Sequence, residues 1–147
     1  MERELNLRII VEGPPAGVLY GLQKGSGNKY ETVQTVTSNT GDLRFEFSVR
    51  VGQGKHGQPN FLGPFAQGPA AARFVYLDIG TYAGQANTPW SRRLKVPLSG
   101  ITWELIEQAL QPSTSFLEAR VPGTAKDGGP SCATVKPVGG WSVTSNQ

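Results

Sequence analysis

Arg73-Phe-Val-Tyr-Leu-Asp-Ile-Gly-Thr-Tyr-Ala-Gly-Gln-Ala-Asn-Thr-Pro-Trp-Ser-Arg-Arg-Leu-Lys-Val-Pro-Leu98 consists of two strand-like runs around a polar, glycine-bearing loop. Phe74 to Ile79 is apolar on both faces except at Asp78, the pattern of a strand that is central or covered on both sides. In the second run Leu94, Val96 and Leu98 alternate with Arg93, Lys95 and Pro97, so one face is apolar and the other cationic. Folded as a hairpin centred near residues 85–86, the runs bring Asp78 opposite about Arg93. An acid within an apolar strand is costly to bury alone, and the basic run offers it a partner. Asp78, Tyr82, Trp90, Arg92, Arg93 and Lys95 are therefore the candidate ligand-binding residues. One reading is a salt bridge that pins the strand register. The other is an anion or polar-metabolite site, in which an arginine forks onto a carboxylate or phosphate beside a flat wall of Tyr82 and Trp90.

Outward from this hairpin, the chain reads as short strands joined by turns. Leu5, Leu7, Ile9 and Val11 alternate with polar residues over 4–12, and Val18, Tyr20 and Leu22 share a face over 18–23. Leu43, Phe45, Phe47, Val49 and Val51 give the clearest period of two in the chain. Tyr30 to Thr37 is rich in threonine and valine, but Val33 and Val36 fall out of phase. That predicts an edge strand or a bulge. Residues 115–121 and 132–135 read as a closing pair of strands, and the tail after about 138 is expected to fray although Trp141 could dock. One helix is expected over about 102–111. Thr102 is its N-cap, Glu104 lies in its first turn, and Trp103, Ile106 and Leu110 share a side. Gly52 to Ala72 reads as a long irregular connection whose Phe61, Leu62 and Phe65 pack down, as a plug or as a lid over a pocket. The expectation is one mainly β domain over 1–147, an antiparallel β-sandwich or flattened barrel of seven to eight strands with one helix.

Composition narrows the chemistry. The net charge is only +3 over 147 residues, and Arg92, Arg93 and Lys95 form the one dense basic cluster, so the footprint of a nucleic-acid binder is missing. A single histidine and a single cysteine cannot supply the four nitrogen or sulfur ligands of a usual zinc site, and no cofactor is expected. No Gly-x-Ser-x-Gly elbow is present, and neither Gly25-Ser-Gly-Asn-Lys29 nor Gly52-Gln-Gly-Lys-His-Gly57 has phosphate-cradle spacing. The lone Cys132 forms no internal disulfide. The N-terminus lacks signal-peptide character and no apolar run reaches membrane-spanning length. A cytoplasmic protein that does not enter the membrane is the expectation.

Several motifs carry a resemblance. They include Gly21-Leu-Gln-Lys-Gly25, Gly41-Asp-Leu-Arg-Phe-Glu-Phe47, Leu62-Gly-Pro-Phe-Ala-Gln-Gly-Pro69 and Phe74-Val-Tyr-Leu-Asp-Ile-Gly-Thr-Tyr-Ala-Gly84. Trp90-Ser-Arg-Arg-Leu-Lys95, Gly100-Ile-Thr-Trp103 and Asp127-Gly-Gly-Pro130 continue it. Together they resemble an uncharacterised bacterial domain-of-unknown-function family with no assigned activity. The resemblance implies a single bacterial domain and transfers no catalytic residue. Three functional readings follow from the residues. The leading one is a binding module for a small polar or anionic ligand. The second is a homo-oligomeric interaction module, a homodimer pairing through the 30–37 edge. The third is an enzyme using Asp78 or a tyrosine as acid/base.

Overall fold

The computed structural model describes residues 2–14, 17–26, 29–37, 41–80, 90–110, 115–123 and 132–145. Period-two alternation gives strands β1 (Arg3–Glu12), β2 (Leu19–Ser26), β3 (Lys29–Thr37) and β4 (Leu43–Gln53). Two short strands follow, β5 (Pro59–Leu62) and β6 (Gln67–Pro69). Then come β7 (Phe74–Gly80), β8 (Trp90–Pro97), helix α1 (Trp103–Leu110), β9 (Ser115–Pro122), β10 (Cys132–Thr134) and β11 (Ser142–Ser145). They form a six-stranded sheet, β11-β9-β1-β4-β5-β6, and a five-stranded sheet, β10-β8-β7-β2-β3. Neither closes into a barrel among the described residues, and the arrangement is sandwich-like.

The inner faces meet in one core. From β1 it takes Leu5, Leu7, Ile9 and Val11, and from β4 Leu43, Phe45, Phe47, Val49 and Val51. Tyr20 and Leu22 come from β2, and Val75, Leu77 and Ile79 from β7. Each large side chain so buried contributes about 1.5–3 kcal/mol against the entropy of ordering the chain. Helix α1 packs on β1, β9 and β11 and adds Ile106 and Ala109 to the same core. Its N-cap is the expected one. The Leu105 amide donates to Thr102 Oγ1 at 3.3 Å, and the Ile106 amide to the Thr102 carbonyl at 3.0 Å. Thr102→Ala is expected to cost about 1 kcal/mol, seen as a small drop in thermal midpoint with no change of fold.

Four sequence expectations change. Residues 52–72 are not irregular: β5 pairs with β4, and β6 with β5, to extend the first sheet. The 115–121 and 132–135 strands do not pair with each other. β9 runs parallel to β1 in one sheet and β10 parallel to β8 in the other, so the pattern is not purely antiparallel. Periodicity reports which face of a strand is buried and is silent about its partner. The strand count among the described residues rises to eleven, because β5, β6 and β11 are too short for a periodic signal. Fraying after 138 does not occur through Ser145, since β11 pairs with β9. Trp141 is buried and its indole N–H donates to the Pro97 carbonyl at 3.0 Å.

β3 lies at the end of its sheet, and its ladder with β2 slips between Leu22 and Gln23, which leaves Val33 as the extra residue. Edge and bulge therefore occur together, and Val33 is exposed.

Candidate functional site

The hairpin register sets Asp78 directly opposite Arg93. Arg93 Nε donates to Asp78 Oδ1 at 2.7 Å, and its second terminal nitrogen donates to Oδ2 at 3.0 Å. This is a two-pronged guanidinium–carboxylate pair. The Asp78 side chain is only 4% exposed and that of Arg93 28%. Both carboxylate oxygens are thus engaged within the sheet, which is the geometry of a register-pinning salt bridge. The outward face around the pair is small on one side and aromatic on the other. Gly21 of β2 is opposite Asp78, and Gln23 is opposite Tyr76. Gln23 is buried and exchanges two hydrogen bonds with Thr32 Oγ1, at 2.7 and 3.0 Å.

Cations and rings interleave along this face. The Arg93 guanidinium lies 5.1 Å from the centre of the Tyr76 ring, and the Lys95 ammonium 4.9 Å from that of Phe74, both within cation–π range. Among the six residues nominated from sequence, the structure brings together Asp78, Arg93 and Lys95. Tyr82 lies outside the described residues. Trp90 and Arg92 are in β8 by backbone, with side chains that also lie outside the described part.

Phe74 and Tyr76 also wall a cleft of about 730 Å³. Its other side is the 59–73 segment, including Leu62, Phe65 and Arg73. Phe65 is steadied by Phe47, ring centres 4.5 Å apart. The turn before it is tied to β4, where the Arg50 amide donates to the Gly63 carbonyl at 2.9 Å. Among the described residues, the hydrogen bonds of the Arg73 guanidinium all go to main-chain oxygens. Its Nε donates to the Gln67 carbonyl and one terminal nitrogen to the Ala72 carbonyl, at 2.5 and 3.1 Å. Gly68, at φ +126°, leaves the space its guanidinium occupies, because a Cβ there would overlap that group. Among the described residues no carboxylate forms a salt bridge with Arg73 or Lys95.

Residues 5–144 match a family of unknown function, DUF5990. The chain belongs to that family. No curated protein and no solved structure matches it. The DUF5990 match spans nearly all described strands, so the cleft and the Asp78–Arg93 pair both fall within the family's own extent.

Sequence reasoning passed over two features. Arg73 opened the decisive stretch but was given no role, although Phe61, Leu62 and Phe65 shortly before it signalled a packed wall. The second feature is an ion network on the outer face of the six-stranded sheet. Arg8 donates to Glu46 at 2.8 Å and to Glu118 at 3.3 Å, and its guanidinium lies 4.2 Å from the Phe116 ring centre. Arg120 joins Glu12 and Glu118 at 3.1 and 3.3 Å. Its hydrogen bond to Glu12, then the charge of Glu118, raise its pKa further above the arginine value, so this network keeps its cation at any ordinary pH. Among the described residues no group of three or more histidine, cysteine, aspartate or glutamate side chains is placed to hold a metal ion, and no helix is long and apolar enough to cross a membrane.

Proposed function

We propose that the protein binds a small organic molecule in the cleft between the 59–73 segment and β7. The observation that carries this reading is the cleft itself. Its volume of about 730 Å³ lies within the ~300–1,000 Å³ usual for ligand pockets, and its lining mixes rings with a few fixed polar groups as such pockets do. Leu62, Phe65, Phe74 and Tyr76 supply apolar wall; Asn60, Gln67 and Arg73 supply hydrogen-bonding groups. The Asp78–Arg93 pair supports the wall from beside it, holding β7 and β8 in register under Tyr76. In this reading Arg93 and Lys95 act through the rings they touch, and Asp78 acts through Arg93.

Pairing of β3 with a second copy has weaker support. The bulge at Val33 interrupts the free edge, one of the devices by which sheets avoid edge-to-edge association.

Screening ring-containing fragments, neutral and charged, against isotopically labelled protein tests the proposal. Binders are expected to shift the amide signals of Gly25, Gln67, Gly68 and Ala72, all of which line the cleft. Ala72→Trp places an indole from an exposed position at that lining and should abolish those shifts while the spectrum stays well dispersed. Fragments that bind only elsewhere, or unchanged shifts in the Ala72→Trp protein, overturn it.

A further inference from the structure

We infer that the cleft selects a planar aromatic carboxylate, with the carboxylate held by Arg73; this rests on the cleft being the binding site. The guanidinium has five N–H groups, and among the described residues two are used, on the Gln67 and Ala72 carbonyls. Those carbonyls orient it without neutralising it. The three remaining N–H groups are on the two terminal nitrogens, whose shared edge matches the two oxygens of a carboxylate. Held in this way, the group loses little rotamer freedom on binding, which is the usual cost of recruiting an arginine. The vacancy at Gly68 is part of the same device, since any side chain there would displace the guanidinium.

The walls set the rest of the ligand. Phe65, Phe74 and Tyr76 are flat and favour a ring offset-stacked or edge-on against them. Phe74 and Tyr76 each already carry a cation on the ring, Lys95 and Arg93. Arg73 is the one charged side chain in the described lining, and Lys95 stands behind Phe74, while the charge of Arg93 is balanced by Asp78. A cationic ligand therefore meets like charge from Arg73 and Lys95, and an anion meets attraction.

Three probes of one shape and different charge separate the outcomes: 2-naphthoate, 2-naphthamide and 2-naphthylmethylammonium. Affinities are read from amide shifts of wild type and Arg73→Gln; the exposed position of Arg73 leaves the core untouched. The carboxylate is expected to bind wild type at least about tenfold tighter than the amide, the scale of one charge-assisted hydrogen-bonded pair. In Arg73→Gln that ratio should fall to about one, with the amide's own affinity nearly unchanged. Equal binding of carboxylate and amide at the cleft of wild type would overturn the carboxylate assignment and leave the cleft reading standing. A preference that survives in Arg73→Gln would overturn the role of Arg73. If none of the three shifts the cleft amides, the aromatic-carboxylate assignment is overturned, and the cleft reading is decided by the fragment screen.

Discussion

Arg93→Ala is expected to lower the unfolding free energy by about 3 kcal/mol, toward the lower end of what breaking a buried ion pair costs. The loss comes from what is left behind. Asp78 is almost wholly buried and accepts from Arg93 through both oxygens. Without the guanidinium its charge sits between Gly21 and a truncated neighbour, with both acceptors unmet. Arg93 is itself 28% exposed, so water enters the vacated space and offsets part of the penalty. Urea denaturation should show a lower midpoint with an unchanged slope, and the thermal midpoint should fall by roughly 6–12 °C for a chain of this size. Adding Asp78→Asn to the alanine variant should recover part of the loss, because a neutral amide is cheaper to leave unpaired than a carboxylate. A loss below about 1 kcal/mol would place the pair with ordinary surface salt bridges.

Arg8→Ala should be at least as damaging, at about 3–5 kcal/mol. Arg8 sits in the central strand of the six-stranded sheet, in register with Glu46 of β4 on one side and Glu118 of β9 on the other. Its side chain is 6% exposed and that of Glu118 8%. Among the described residues, removal leaves Glu118 in a salt bridge with Arg120 at 3.3 Å and opens a gap beside Phe116. Arg8→Lys is the informative comparison. One ammonium is a point charge and cannot reach both carboxylates in the plane the guanidinium spans, so lysine should restore well under half the loss. Full rescue by lysine, measured by urea denaturation, would mean that net charge and not the two-sided fork holds these strands. Arg8 lies away from the cleft lining, so ligand experiments on the cleft remain interpretable where the Arg8 variants stay folded; Arg93 touches Tyr76 of the cleft wall, and its variant does not serve that purpose.

Much of the fold is legible along the chain. The alternation at Leu5–Val11 and Leu43–Val51 predicts buried faces that the structure contains, and the out-of-phase Val33 announces the bulge. The Asp78–Arg93 pairing is legible for a simple reason: a hairpin register follows from counting outward from its turn. Arg8 is different. Its partners are 38 and 110 residues away, and from sequence each shows only as one charged position on a polar face. The cleft was half legible. Its apolar wall residues stand out in a stretch punctuated by Pro59, Gly63, Pro64, Gly68 and Pro69, but those same residues conceal the two short strands that carry Arg73 to its place. Sheet partnership, unlike facing, is decided by packing between segments that have no local knowledge of each other.

The parallel pairing of β1 with β9 has a bearing on synthesis. At ribosomal speeds of ~5–20 residues per second, the 110 residues between Arg8 and Glu118 take roughly 5–20 s to appear. Once β4 has been made, for the rest of that interval β1 can pair with it but exposes its other edge, with Arg8 deprived of one of its two acids. The nascent chain is then a half-built sheet with an open, apolar flank, the kind of intermediate that chaperones screen and that mispairs with its neighbours on a polysome. Completion comes only when β9 enters beside β1, so the last quarter of the chain closes a sheet that the first few residues began.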